Sequence, residues 1–432
     1  MTFPFEMSQT CDIAIIGAGA AGLMASIHAG RVAGGQLRIL ALDGAKSVGA
    51  KILVAGGGRC NVTHDVIHAE DYAPANRNRV NKVLRSFTVE QTIEFFASLG
   101  VQLKVEDTGK LFPVTDRAQT VLDALLRALR DAGVTLKTQH RVASLSRDDQ
   151  NRFIIETSQG VLLAHRVILS TGGRALPRTG SDGAGYAFAR AMGHHVTDTT
   201  PALVPLTLPA GHWLTSLSGI AFDTTLSLWS STNKLLHQQP GAMLLTHKGI
   251  SGPAAMDMSR HWLAARKTDP GVKLTAAMVP GMRFEAIDKH LADQAVSRRN
   301  ASVLMVIRQW MPERLAQGVL DQAGISSTTL IGKLPREGRR KLALLLEALP
   351  VPVTGDRGYT YAEVTAGGVP LEEIDLATMA SRLCPGLYLA GEILDVDGRI
   401  GGYNFQWAWC TGRLAGNAAA RSLLKDREEI KP

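Results

Sequence analysis

The sequence predicts an α/β chain: a discontinuous parallel-sheet domain interrupted by a β-rich insertion that carries a helical lobe. Three observations predict it. Residues 12–29 read as strand, glycine turn and Ala-rich helix; residues 387–417 repeat strand, glycine turn and helix; and proline-punctuated crossings bracket about 150 residues between them. At 432 residues, with 45% hydrophobic and 20% charged, the chain is too long for one simple core, so two or more domains are expected. Its 43 glycines gather beside apolar strands without a repeating period, which excludes collagen-like and low-complexity readings.

In the first unit, Ile13 to Ile16 form a buried strand. Gly17 permits a tight turn, Gly19 lets the backbone approach a pyrophosphate, and Gly22 lets the helix lie close to the strand, with its amino terminus facing the phosphates. A second apolar strand, Leu37 to Leu42, ends in Asp43, 21 residues after Gly22. A carboxylate there accepts hydrogen bonds from both ribose hydroxyls of an adenosine and repels a 2′-phosphate. The expectation is therefore a Rossmann-like unit that binds a dinucleotide, with a Gly-rich turn and an incidental surface Asp as the alternative.

Residues 49–63, GAKILVAGGGRCNVT, place three glycines before Arg59, Cys60, Asn61 and Thr63, a loop suited to close contact with a flat or extended ligand; a tight structural turn is the alternative. Residues 387–417 give a strand, an acidic tip at Glu392, a turn at Gly401 and Gly402, and a new helix. In flavin enzymes a second, carboxy-terminal helix points its positive end at the N1/C2 carbonyl edge of the isoalloxazine, a use an NAD-only dehydrogenase lacks.

With GAKILVAGGGRCNVTH at 49–64, THKGISGPAAM at 246–256 and AGEILDVDGRIGGYNFQWAWCTGRLAG at 390–416, the sequence resembles the BaiN/RdsA/aminoacetone-oxidase (YhiN-like) flavoproteins through nearly its whole length. The resemblance implies FAD held by Gly17, Ala18, Gly19, Ala20, Ala21 and Gly22, by Asp43 at the ribose, by Lys51, Gly57, Gly58, Cys60 and Asn61, and by Gly391, Glu392, Asn404 and Phe405. Val142 would touch adenine through its backbone. Many relatives carry Glu where this chain has Asp43, and the shorter carboxylate still reaches a diol.

The domain plan is a Rossmann-like FAD-binding domain in two parts, 1–199 and 354–432, with the insertion at 200–353. Segment 161–173 reads as a strand pair ending in Thr171, Gly172 and Gly173, where the chain approaches the cofactor. Within the insertion, 222–230, 241–249 and 272–280 have strand composition, and 283–347 is rich in helix formers. No second strand–GxGxxG–helix unit is present. The glycines at 180, 183 and 185 follow Pro177 and Arg178, so this stretch reads as loop and helix, and NAD(P)H would dock only transiently as electron donor.

Flavin supplies the redox chemistry, so the protein must position a substrate carbon and offer a proton. Candidate catalytic residues are His247, at the end of an insertion strand, and Cys60, whose thiolate a neighbouring Arg59 would favour; a backbone-bonded histidine and a packing cysteine are the alternatives. Asp395 and Asp397 read as loop supports or cofactor neighbours. Cys11, Cys60, Cys384 and Cys410 include no C-x-x-C pair, so neither a metal site nor a dithiol centre is written locally, and a reducing compartment follows. The first ten residues lack a cationic leader, and the apolar run after them is broken by glycines; the expectation is a cytoplasmic protein without membrane or stable protein partners.

The formal charge is +8, with basic groups at Arg298, Arg299, Arg308, Arg314 and 333–341 and an aromatic at Trp310. This is either a solvated helical face or a docking surface for phosphates. Family members differ in substrate, and three readings stay open: a reductase of an electron-poor C=C, with uracil in ribosomal RNA as one such substrate; a small-amine oxidase producing hydrogen peroxide; and an FAD-containing RNA- or protein-binding module.

Overall fold

The computed structural model describes residues 9–73 and 76–429. The absence of a cationic leader was read mainly from residues 1–8, which lie outside that range. The chain divides into two compact units, one formed by residues 1–201 with 363–432 and the other by 202–362. The second boundary lies later than the sequence reading placed it: 354–362 belong with the insertion, because Gly355–Asp356 pairs with the insertion strand Leu206–Thr207. No helix among the described residues is long and apolar enough to cross a membrane.

In the first unit, strand β1 (Gln9–Ile16) leads into helix α1 (Ala20–Ala33) and then strand β2 (Ile39–Leu42), which begins two residues later than the hydrophobic pattern suggested. Among the described residues the sheet has nine strands. Its central parallel array runs Leu387–Leu389, Gly160–Leu169, β1, β2 and Thr135–Lys137. Ile13, Ala14 and Ile15 have no exposure, as expected of a parallel strand covered on both faces. The predicted strand pair at 161–173 is a single ten-residue strand, Gly160–Leu169, whose antiparallel partner is Phe153–Thr157. One uninterrupted run of alternating and then fully apolar residues left no turn within it.

The C-terminal helix, Tyr403–Glu429, packs along α1. Gly412 and Gly416, one turn apart, make this possible, since a Cβ on either would run into the carbonyl of Ala21 or Ala25. Two small residues thus bring the last helix against the first, and α1 is covered by sheet on one side and helix on the other.

The second unit is built on an antiparallel sheet, seven-stranded among the described residues, ordered Leu349–Val351, Lys273–Ala277, Ala221–Trp229, Leu235–Thr246, Gly249–Ser251, Leu206–Thr207 and Gly355–Asp356. Helix Gly252–Thr268 lies on it, and helices Phe284–Ser297, Val303–Ile307, Glu313–Ala323 and Arg336–Glu347 form the lobe. Leu226, Met243, Leu245, Met258, Leu315, Leu320, Leu342 and Leu346 make its own core.

Candidate cofactor site

The glycine turn after β1 is built by close approach. A Cβ on Gly17 would sit 2.6 Å from the Ser170 carbonyl oxygen, and one on Gly22 would collide with the Gly17 carbonyl. A Cβ on Gly19 would meet nothing within 4 Å, and Gly19 caps α1 with no side-chain hydrogen bond and no acid in the first turn. The helix therefore presents bare N–H groups and its positive end to open space. Ser170 Oγ donates to the Gly17 carbonyl at 2.8 Å, tying the turn to the end of Gly160–Leu169.

Asp43 directly follows β2, at the tip where the sequence placed it. Its Oδ2 accepts from the Ala18 N–H at 2.9 Å and its Oδ1 from the Ala45 N–H at 2.8 Å. These two bonds aim the carboxylate back at the glycine turn and leave each oxygen a further lone pair for a diol. Val142 opens a strand, Val142–Arg147, and is 8% exposed.

Helix α2 (Ala50–Gly58) occupies part of what read as a loop; its regular part ends before Ala55, and Ala55, Gly56 and Gly57 leave helical geometry. Positive φ values run through Gly58, Arg59 returns to −99°, and Cys60 is again positive at 62°, so the segment turns back sharply. Asn61 follows, 7% exposed, its Oδ1 buried without a hydrogen-bond partner. Thr63 abuts Gly402, where a Cβ would lie 2.5 Å from the Thr63 backbone, so the glycine loop meets the start of the C-terminal helix.

Lys51, from α2, places Nζ 2.5 Å from Glu392 Oε2. Glu392 Oε1 accepts the Thr365 N–H at 2.9 Å, and Thr365 Oγ1 in turn accepts the N–H of Arg174 and Ala175. Gly173 must be glycine beside them, since its Cβ would lie 2.8 Å from Glu392 Oε1. Ser181 Oγ, 3.5 Å from Lys51 Nζ, lies at the same node, and a Cβ on Gly172 would come within 2.6 Å of it. Gly391 faces Ala21 at 2.8 Å by the same measure. Thr171 Oγ1 is buried without a partner and lies against Gly185.

At the start of the C-terminal helix, Asn404 accepts the Gly398 N–H through Oδ1 and donates to the Gly398 carbonyl through Nδ2, at 2.8 and 3.0 Å. Phe405 stacks on Trp409 with centroids 5.5 Å apart. Gln406, 1% exposed, accepts from Thr63 and Thr92 hydroxyls and donates to the Phe87 carbonyl. Asp395 accepts from Thr197, which is a loop support.

Cys60 departs from its expected chemistry. It has no exposure, and burial pushes its thiol up to about 12. Arg59 does not lower it, because that guanidinium is engaged by Glu106 at 2.5 Å and covers the Phe112 ring at 3.9 Å. A thiolate is therefore not available. His247 lies in the second unit, exposed in the turn between Leu235–Thr246 and Gly249–Ser251, with Nδ1 3.0 Å from Ser218 Oγ. Among the described residues, no group of three or more His, Cys, Asp or Glu could hold a metal.

Thus the first unit gathers α1, Asp43, Lys51, the 56–61 loop, the 171–173 turn, Glu392 and the C-terminal helix start. The sequence did not announce Ser181, Thr365 or Gln406. Of these only Ser181, in the Ser-Asp-Gly turn after Gly180, carried a signal. The partnerless Asn61 oxygen, the uncapped α1 and the open space over Gly19 fit an extended nucleotide cofactor with a pyrophosphate.

Comparison with known proteins agrees. Residues 11–418 match the family model described as HI0933-like protein Rossmann domain. The chain is 34% identical over 408 residues to a 3-dehydro-bile acid delta(4,6)-reductase of Clostridium scindens, covering 94% of this chain and 98% of the relative. It is 32% identical over 400 residues to a ribosomal RNA dihydrouridine synthase of Escherichia coli, covering 92% and 95%. Among solved structures, the 3-ketosteroid delta1-dehydrogenase of Sterolibacterium denitrificans shares the fold, with a TM-score of 0.50 and 13% identity over 96% of this chain and 100% of that one. Because the family match runs through both parts of the nucleotide-binding unit and the insertion between them, the chain belongs to the HI0933-like family of FAD-binding Rossmann proteins.

Proposed function

We propose that this FAD-dependent oxidoreductase reduces an electron-poor carbon–carbon double bond conjugated to a carbonyl, such as that of a uracil base in ribosomal RNA. The observation that carries the reading is chemical. Relatives matched over more than nine-tenths of the chain are named for saturating such a bond in two unlike molecules, a bile acid dienone and a uridine. What they share is the bond, not the scaffold. Bound FAD, once reduced, supplies hydride to such a bond.

The chain's own residues hold and orient. The backbone N–H groups from Gly19 to Gly22 and the α1 dipole would take the pyrophosphate, with Gly17 and Ala18, whose N–H groups donate to Leu42 and Asp43, shaping the turn beneath it, and Asp43 would take the ribose. Val142 lends its backbone to adenine. Lys51, Gly57, Gly58, Asn61, Thr171, Gly172, Gly391, Glu392, Asn404 and Phe405 line the remainder. Asn61 Oδ1, already desolvated and unbonded, would accept a hydrogen bond from the bound cofactor. The C-terminal helix has no acid in its first turn, so its positive end opposes no charge of its own.

Saturating the bond also takes a proton at the second carbon, and His247 is the residue proposed to give it. Cys60, fully buried and far too weak an acid, is assigned to holding the 56–61 turn. NAD(P)H, docking transiently, is the proposed electron donor.

The test is anaerobic. Purified protein should be yellow and bleach with NAD(P)H or dithionite, and the reduced protein should recolour on an RNA transcript while dihydrouridine accumulates. Hydrogen peroxide formed on aminoacetone would mark an amine oxidase instead, and tight flavin binding without any turnover would mark a binding module.

A further inference from the structure

We infer that the exposed cations at the junction of helices Phe284–Ser297 and Arg336–Glu347 form a docking surface for the phosphate backbone of RNA. The inference rests on the proposed uracil substrate for the choice of polyanion; the surface itself rests on charge and packing.

The junction is held by a close crossing. The Gly332 N–H donates to the Arg299 carbonyl at 3.1 Å, the Ile331 N–H donates to the Ala301 carbonyl at 2.8 Å, and a Cβ on Gly332 would lie 2.8 Å from Arg299 Cβ. The crossing sets the end of the first helix, with Arg298 and Arg299, beside Lys333 and the segment that opens the second helix at Arg336. Segments 298–299 and 333–341 together hold seven cations, Arg298, Arg299, Lys333, Arg336, Arg339, Arg340 and Lys341, against the single acid Glu337.

The seven divide by partner. Arg339 is committed to Asp288 in a two-pronged pair at 2.9 and 3.3 Å, which fastens the two helices together. Arg340 lies over the Phe284 ring at 4.9 Å, at the other end of helix Phe284–Ser297, and is not part of the junction. Arg298, Arg299, Lys333 and Arg336 are exposed at the junction, and among the described residues they make no ion pair, while Lys341 Nζ lies by Gly324 at the end of helix Glu313–Ala323. Elsewhere in this lobe Arg308 pairs with Glu313 and Arg283 with Glu347, and Arg314 donates to the Ser216 carbonyl. Unmatched cations crowded at one junction repel one another, and a neighbouring row of phosphates relieves that repulsion while releasing its own counterions. Helix Arg336–Glu347 also starts here without a side-chain cap, so its free N–H groups point the same sign of potential outward.

The experiment measures binding of a fluorescent 20-nucleotide RNA to the flavin-loaded protein across a salt series. Wild type should weaken steeply, the slope of log affinity against log salt matching roughly four or five phosphates. Arg298→Glu/Arg299→Glu and Lys333→Glu/Arg336→Glu should each weaken binding at low salt by roughly tenfold or more and flatten the slope. Arg298→Lys/Arg299→Lys should restore both, and flavin content should be equal in all variants. Charge-reversed variants that bind within twofold of wild type, or a wild-type affinity indifferent to salt, would overturn the surface. Dihydrouridine is scored separately: salt-dependent binding without dihydrouridine leaves the surface standing and removes the uracil reading, while dihydrouridine with unaffected variants does the reverse.

Discussion

Lys51 and Glu392 stand 341 residues apart in the chain and 2.5 Å apart in the fold, joining α2 to the turn that follows the strand Leu387–Leu389. Glu392 is also fixed by the Thr365 N–H, so the pair connects three backbone segments around the candidate cofactor site. Both side chains are largely shielded, at 26% and 17% exposure, and removing one partner leaves the other charge poorly solvated. Lys51→Met is expected to lower stability by about 1–2 kcal/mol and to hasten flavin release. Glu392→Gln keeps the bond from Thr365 and should cost less. Denaturant melts with flavin fluorescence check the order; a loss in Glu392→Gln as large as in Lys51→Met would show that the charge, not the hydrogen bonding, carries the whole effect.

Gly19 separates a cofactor role from a folding role. Its φ of −81° suits any residue, and a Cβ there meets nothing, so Gly19→Ala should leave the apoprotein's melting temperature within the error of measurement. If the pyrophosphate lies over that position, the added methyl should weaken flavin binding by roughly tenfold or more. Gly22→Ala, which collides with the Gly17 carbonyl, should instead fail to fold. Reconstitution of each apoprotein with FAD distinguishes the two, and unchanged flavin affinity in Gly19→Ala would displace the cofactor from α1.

The contrast between these sites explains what was legible beforehand. Gly17, Gly19, Gly22 and Asp43 could be read because one local βαβ segment imposes their spacing, and each residue type answers a local steric or electrostatic demand. The Lys51–Glu392 pair and the Thr365 and Gln406 bonds join segments hundreds of residues apart, and no local pattern encodes such partners. For Cys60 the packing alternative holds over the catalytic one: its sequence neighbour Arg59 suggests a thiolate, but Arg59 turns to Glu106 and the thiol is buried. The short helix α2 hid behind three glycines that in fact follow its regular turns. The end of the insertion was misplaced because prolines at 350 and 352 suggested an exit, whereas the pairing of Gly355–Asp356 keeps the chain in the insertion sheet.

His28 predicts an acid-sensitive first unit. It sits on α1, stacked on Phe95 at 5.7 Å, and burial, with Arg413 and Arg31 adding to it, lowers its pKa from 6.5 to about 3. Between those values the unfolded chain takes up a proton that the folded chain refuses. This contribution to stability is therefore full above pH 6.5 and is lost as pH falls from there toward 3, by roughly 1 kcal/mol per pH unit. His28→Leu should flatten the acid side of the stability profile between pH 7 and 5. Parallel profiles for wild type and variant would show that other groups set the slope.

Gln406 links the C-terminal helix to the loop before it. One amide oxygen receives the hydroxyls of Thr63 at 2.8 Å and Thr92 at 3.0 Å, and its nitrogen donates to the Phe87 carbonyl at 2.8 Å. Thr63 lies two residues beyond Asn61, so the amide holds the glycine loop against the helix whose amino terminus is proposed to face the flavin ring. Gln406→Leu fills the space but strands the Thr63 hydroxyl, whereas Thr92 retains its bond to the Thr88 carbonyl and the Phe87 carbonyl keeps Cys410 as a donor. With one group left unsatisfied rather than three, the expected loss is about 1–3 kcal/mol. Thr63→Val removes that stranded hydroxyl, so in the double variant most of the loss should be recovered, and a double-mutant cycle on denaturant unfolding measures the coupling. Additive losses would mean that the Thr63–Gln406 bond does not set the position of the helix.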